Sequence, residues 1–320
     1  MERMYSVEEY KDMLKRFVET APECSILYSE LFWSKDLFSM NLDEMKYYIV
    51  NEVLSNSDSL KYLQNMRNKM SRFYEWAVKE KKIKYNVWET DEYLYSIFVE
   101  EMIDRMDIKV WYEEDIESLI AKFRENKPFY EMLIRGFYEG IESGAEFARI
   151  RVQDIDFDSN TIHMQNKEFK MSDKLSKVVN QYIYYEDWND MYATEQCQDR
   201  LIKTSKLTSE EKYDMNARTF ISYTLKKISD TYGIKISAQD LTASGFINYA
   251  HARCVYEHKS DLFFIKMFEL GAAVVDRRLE NKIKIFATDY GFTCNKQSQL
   301  LRMRFYPYVY HGKWYTRCKS

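Results

Sequence analysis

The sequence predicts a mainly α-helical protein with a small antiparallel β-sheet, and three observations carry that expectation. Only 8 Gly and 3 Pro occur in 320 residues, too sparse for a sandwich or barrel, which needs a turn about every 8 to 12 residues. Apolar residues recur at helical spacing through most of the chain. One stretch, RVQDIDFDSNTIHMQNKEFKMS, departs from that rhythm: short runs of β-formers flank the turn cluster Asp158-Ser159-Asn160, and a third run, EFKM, follows. The length exceeds one ordinary core, since a domain usually takes roughly 100 to 200 residues, so two domains are expected. A hydrophobic content of 46% with 16% aromatics can fill both cores and speaks against disorder.

In chain order, Ser6 and Glu9 form a capping box that opens a helix through YKDMLKRFV. Asn41 with Glu44 opens another through MKYYIVNEVL. Leu60, Leu63, Met66, Met70, Phe73 and Ala77 then mark the apolar side of a long amphipathic helix, with Lys61, Gln64, Asn65, Asn68, Lys69 and Arg72 on its far side. The basic stretch KEKKIKYNVWET and an acidic segment follow. A domain boundary is expected near residues 105 to 112, giving domains 1–108 and 109–320. The second domain opens with helices at WYEEDIESLIAKF and FYEMLIRGFYEGI, passes through the small sheet, and resumes helix at LSKVVNQYI. Residues 186 to 212 read as a polar connection. Asn216 is expected to cap ARTFISYTLKKISDTY, which should stop at Gly233. Ser237 with Asp240 opens QDLTASGFINYAHARCVY, and no internal repeat is visible.

Charge is segregated. The formal net charge is -4 and the isoelectric point about 5.8, not the balance expected of a nucleic-acid binder. Residues 89 to 117 hold eleven acids against Arg105 and Lys109, whereas residues 290 to 320 hold no acid and six Lys or Arg. A basic face can therefore coexist with an acidic total. The five cysteines are scattered and odd in number, against a disulfide framework or a zinc knuckle. His251 and His258, seven residues apart, lack ligand partners at standard spacing, so no metal is expected. Without a Gly-rich phosphate loop no cofactor is expected either. No apolar run nears the roughly 20 residues of a membrane span, and MERMYSVEEY is unlike a signal peptide. A cytoplasmic protein without membrane contact is expected.

Several phrases carry a resemblance. KDLFSMNLDEMKYYIVN and SLKYLQNMRNKMSRFYEWAVKEKKI, then FYEGIESGAEFARIRVQDIDFDSNTI, then NARTFISYTLKKISDTYGIKISAQDL resemble, in order and spacing, stretches of the tyrosine-recombinase (phage integrase) family. The resemblance covers roughly residues 36 to 320. It implies a helical core-binding domain followed by an integrase catalytic-like domain, the two closing as a clamp on double-stranded DNA. It also implies a bacterial host cytoplasm, in association with the nucleoid.

The departures from the family pattern are as informative. Family chemistry sets a tyrosine against the scissile phosphate, with two arginines, a hairpin lysine and histidine or tryptophan donors around it. A pentacovalent phosphorane carries extra negative charge, and fixed cations must sit where it develops. Here the first arginine falls on Glu142, or on Ser143 after a one-residue shift. The His-x-x-Arg phrase falls on Gln239 and Thr242, and Phe292 stands where a histidine or tryptophan belongs. Tyr306 is the best candidate for the nucleophile position, with Tyr308 and Tyr310 competing. Loss of one such donor costs on the order of a hundredfold to a thousandfold in rate. The expectation is a protein that holds DNA and does not cut it, suited to repression of transcription in a prophage.

By the same resemblance, Lys61, Asn65, Asn68, Lys69 and Arg72 would enter a groove, Asn reading adenine and Arg reading guanine; a solvated helix side is the plain alternative. Lys167 and Lys170 sit by a turn that reaches the minor groove in the family, or simply on an exposed hairpin. Arg218 and Thr219 would meet phosphate at a helix start, and Arg149 and Arg151 flank the strand entrance. The tail LLRMRFYPYVYHGKWYTRCKS either clamps nucleic acid or is core. Self-association or a protein anti-repressor are the further partners considered. Two other readings stay open: an active recombinase using Arg149, Arg151 or Arg253, and an adaptor that binds protein and no DNA.

Overall fold

The computed structural model describes residues 4–319 apart from 56, 58, 91, 125–126, 166, 185–198, 205–209, 258, 270–276 and 294–297. Two compact units emerge, the first within Met1–Asp107 and the second within Ile108–Phe268 and Asp276–Ser320. Helix dominates both, and the described strands form one small antiparallel sheet, as the turn-poor composition requires.

In the first unit, α1 (Val7–Thr20) starts at the Ser6–Glu9 capping box. A 3-10 helix (Pro22–Tyr28) and α2 (Glu30–Trp33) lead to α3 (Leu42–Tyr48), which opens on the Asn41–Glu44 box and runs on as a π turn over Ile49–Val53. The amphipathic stretch forms α4 (Leu60–Lys79), and α5 (Val87–Thr90) and α6 (Glu92–Arg105) complete the unit. Phe73 of α4 organises the core. It stacks on Phe38 at 5.2 Å and on Trp76 at 6.0 Å, and meets Tyr10 and Phe17 of α1 edge-on or tilted. Each such ring removed from water stabilises the unit by about 1.5–3 kcal/mol.

The end of α4 has an unusual cap. The amides of Lys81 and Lys82 donate back to Val78 O (3.0 Å) and Ala77 O (2.8 Å), a Schellman pair, with Lys81 at φ +57°. That left-handed position ordinarily belongs to glycine, because a Cβ there crowds the following carbonyl.

The second unit begins with α7 (Glu113–Ile120), α8 (Lys127–Glu139) and α9 (Gly144–Arg149). Next come β1 (Ile155–Asp156), β2 (Thr161–Met164) and β3 (Lys167–Lys170), in the order β1-β2-β3, with Ile162 opposite Phe169. The Asp158-Ser159-Asn160 cluster makes the first turn. Asp156 accepts from the amides of Asp158 and Ser159 at 2.9 and 3.2 Å, and Asn160 takes φ +51°. Helices α10 (Asp173–Ile183), α11 (Glu210–Tyr232), α12 (Ala238–Tyr256), α13 (Asp261–Phe268), α14 (Arg277–Asp289), α15 (Ser298–His311) and α16 (Lys313–Lys319) follow. Their core joins Phe129, Phe137, Phe147, Ile162, Phe169, Ile221 and Leu241.

One expectation needs correction. Asn216 does not cap a helix: α11 starts at Glu210 and passes through it. The apolar face begins earlier than the sequence reading placed it, at Tyr213, which is buried with Ala217 and Ile221 and donates its hydroxyl to Ile202 O at 2.5 Å. Burial of that first turn outweighs the capping preference of Asn216. The helix does stop at Gly233, at φ +61°. In the tail, where core and clamp were both open, Phe305, Tyr306, Tyr308, Val309, Trp314 and Tyr315 are core residues.

Residues on α8, α12 and α14 meet closely. Tyr290, just past α14, donates its hydroxyl to Tyr138 O on α8, and a Cβ on Gly245 of α12 would overlap both groups. Gly140, at φ +123° against Tyr290, turns the chain out of α8 toward residues 141 to 143. Among the described residues no helix is long and apolar enough to cross a membrane.

Candidate functional site

Positions far apart in the chain converge where Gly140 delivers Glu142. The Glu142 amide donates to Glu146 Oε2 (2.6 Å), and its carboxylate accepts from the amide (2.5 Å) and hydroxyl (3.0 Å) of Thr293. Lys167, the first residue of β3, reaches into the same place. Its Nζ lies 2.7 Å from Glu146 Oε1, 3.7 Å from Glu142 Oε1 and 2.7 Å from Gly291 O, and its side chain is only 9% exposed. Thr242 of α12, fully buried, donates to Ala238 O (2.6 Å) and Ile141 O (3.4 Å), fastening α12 behind the turn. An open cleft of about 780 Å³ lies in front, lined by Glu142, Glu146, Lys167, Arg149, Arg151 and Asp214 among others.

The cleft's lining sets the cations Lys167, Arg149, Arg151 and Arg200 against the carboxylates Glu142, Glu146, Asp154 and Asp214. Lys167 faces two carboxylates, so the trio carries a net negative charge in a half-buried setting where like charges repel strongly. Arg149 is held by Asp214 (3.2 Å) and Arg151 by Asp199 (2.6 Å), and the third lining arginine, Arg200, lies over the Tyr213 ring at 4.9 Å. Ser143 caps α9, accepting from Glu146 N at 3.2 Å.

The remaining positions marked by the resemblance lie elsewhere. Phe292 packs among Phe246, Tyr290 and Phe305. Tyr306, expected as the nucleophile position, is 2% exposed and does not line the cleft, because apolar packing of α15 turns it inward. Tyr308 donates to Asp240 Oδ1 at 2.7 Å, and burial together with Asp240 pushes its hydroxyl well above the usual range. Gln239 hydrogen-bonds Tyr308, and neither it nor Thr242 borders the cleft. Arg253 lies near Asp289 (3.6 Å) and the Phe286 ring, also away from the cleft. His251 pairs with Asp261 at 2.8 Å, and His258 lies outside the described residues.

On α4, Lys61, Asn65, Asn68 and Arg72 form one exposed stripe, at helical spacing. Its last turn is tied down: Arg72 pairs with Glu23, and Lys69 donates to Glu23 O at 2.5 Å. Lys170 is exposed and bonds Thr161 Oγ1 at 2.6 Å. Arg218 is exposed but sits in the ninth position of α11, so the helix-terminus phosphate site expected there does not form. Thr219 donates back to Met215 O at 2.9 Å. Sequence reasoning missed the rest of that face. Ser222, Tyr223, Lys226 and Lys227 are exposed alongside Arg218 and Thr219, with Tyr223 at 65%. The signal was available, since no acid occurs between Asp214 and Asp230.

No family model matches the chain, and no curated protein is similar to it. Among solved structures the chain is similar to the crystal structure of XerA recombinase, at 13% identity and a TM-score of 0.33, over 89% of this chain and 99% of that one. A superposition that loose bears on neither fold nor function.

Proposed function

We propose that this protein binds duplex DNA in a sequence-specific way and does not cleave it, acting as a transcriptional repressor. The observation that carries the reading is the enclosure of Lys167 by Glu142 and Glu146 at the point where the recombinase-like phrases meet. A cation offered to a scissile phosphate must be free to complement it. This one is already matched by carboxylates that would repel the incoming anion. The hold on DNA is assigned to surfaces that carry exposed cations and amides: the α4 stripe, where Lys61, Asn65 and Asn68 stand beside the Glu23-paired Arg72, and the Arg218–Lys227 face of α11, whose cations form no ion pair among the described residues. The assignment to maintenance of lysogeny is by analogy alone, because the phrases quoted above look similar to the integrase-like master repressor of SPbeta-type prophages.

Two measurements test the proposal. Sequencing DNA fragments that co-purify with the tagged protein supplies the site, and binding to that duplex should weaken steeply with salt, by about 0.9 log units per tenfold salt for each phosphate neutralised. Affinity that stays flat between low and moderate salt refutes DNA binding. A nicked suicide substrate should trap no covalent protein–DNA adduct. An adduct that disappears in Tyr306→Phe overturns the non-cleaving half of the reading.

A further inference from the structure

A second cavity, in the first unit, has a different character. It is an open groove of about 930 Å³ between the end of α4, the loop that follows it and the start of α3. Its floor is apolar: Met40, Leu42, Met45, Val78, Ile83 and Val87, with the Phe38 and Tyr74 rings. Its charged lining residues are all cations, Lys81, Lys82 and Lys84, and no carboxylate lines it. Lys81 and Lys84 are exposed, Lys82 partly so, and none of the three forms an ion pair among the described residues; Glu9 lies within electrostatic reach of Lys82. Leu42, at 37% exposure, and Tyr85, at 68%, leave the groove's edge apolar and open.

The cap of α4 supplies an independent observation. Lys81 holds φ +57° where glycine would sit without crowding. A non-glycine residue in this conformation carries a backbone cost, and here it places a lysine side chain on the groove's lining. That side chain stands on the rim of an apolar groove beside two further lysines.

We propose that this groove receives an amphipathic acidic helix from a partner protein. Leucine-like side chains at helical spacing would fill the Met-lined floor, which adapts to different shapes, and flanking glutamates would meet Lys81, Lys82 and Lys84. Charge complementarity selects the occupant: a basic helix is repelled by the rim, and a sugar–phosphate backbone cannot cover the apolar floor. The site is separate from the α4 stripe and from α11, so it stands or falls apart from the DNA reading.

The test uses the full chain and a fluorescein-labelled synthetic helix with Leu at i, i+3, i+4 and i+7 and Glu at flanking positions, followed by anisotropy. A second peptide carries Lys for each Glu. The acidic peptide should bind, and the basic one should not. Lys82→Glu with Lys84→Glu should weaken binding on the order of tenfold, and Leu42→Gln about threefold. Lys81→Gly separates use from structure: it relieves the left-handed strain, so thermal stability should hold or rise, while peptide affinity falls about threefold. Equal binding of both peptides, or a Lys81→Gly variant that binds as well as the parent, overturns the proposal. Competition by a random duplex makes the groove a nucleic-acid surface, and a concentration-dependent dimer abolished by Lys82→Glu makes it a self-association surface. Either result also overturns it.

Discussion

The cleft around Lys167 and the exposed face of α11 are both rich in cations, yet they have opposite chemistry. In the cleft three cations have carboxylates: Lys167 has Glu142 and Glu146, Arg149 has Asp214, and Arg151 has Asp199, while Arg200 lies over the Tyr213 ring. On α11, Arg218, Lys226 and Lys227 form no ion pair among the described residues and stand in solvent beside Tyr223. Cation content alone therefore does not single out the surface proposed to hold DNA. A matched cation shapes the protein, and only an unmatched one is free to displace counterions from DNA.

That contrast can be broken most directly at Lys167. Lys167→Met should destabilise the second unit by about 3 kcal/mol, because it strands two half-buried carboxylates, and should leave DNA affinity unchanged; urea unfolding and a binding isotherm read the two effects. A large loss of DNA affinity with intact stability would reverse the assignment.

Arg135 offers a second matched cation, 6% exposed, with Glu131 at 2.8 Å and Glu117 at 2.9 Å. Arg135→Met should cost about 2 kcal/mol in the same unfolding assay. Hydrogen bonds from Arg135 and then Lys174 hold the Glu117 carboxyl down at about 2, against an ordinary value of 4.5. A depressed folded value means that this carboxylate's stabilisation is complete above pH 4.5 and is lost as pH falls from there toward 2. The parent should therefore lose stability over that interval more steeply than Glu117→Gln.

Free surfaces should show the converse. Asn65→Ala is expected to cost roughly 1 to 3 kcal/mol on the specific site and little on random duplex, with unfolding unchanged. Lys226→Ala should weaken specific and random binding alike, severalfold, and lower the salt slope by about one. An unchanged slope would remove α11 from the interface. Smallest of all, Arg149→Ala should alter stability by less than about 0.5 kcal/mol, since its pair with Asp214 is exposed, and should leave DNA binding untouched.

Local structure was readable where local chemistry decides it. The Ser6 and Asn41 boxes, the α4 period, the Asp158-Ser159-Asn160 turn and the stop at Gly233 all depend on residues a few positions apart. The start of α11 was not readable, because Tyr213 is held by Ile202 across a connection whose course no spacing rule describes. The site divides along the same line. That Glu142 stands where a cation was expected could be seen in the sequence, but that it and Glu146 enclose Lys167 could not, since Lys167 arrives on a hairpin and Thr293 from 151 residues beyond Glu142. The burial of Tyr306 was unreadable for a similar reason: it is set by packing in the core.

The bond from Tyr290 to the Tyr138 carbonyl bears on the order in which the molecule can be made. The segment that brings Thr293 to the cleft wall and the Gly291 carbonyl to Lys167 is attached to α8 through that bond and the tight fit at Gly245. Synthesis proceeds from the N-terminus, and domains generally fold as units, so Glu142, Glu146 and Lys167 emerge from the ribosome long before the residues that close over them. During that interval the three side chains can pair with one another, but the Glu142 carboxylate lacks its Thr293 donors. A nascent chain halted before Tyr290 should expose that carboxylate to water and leave the hairpin lysine mobile, which makes the charge-matched cleft one of the last features of the second unit to be completed.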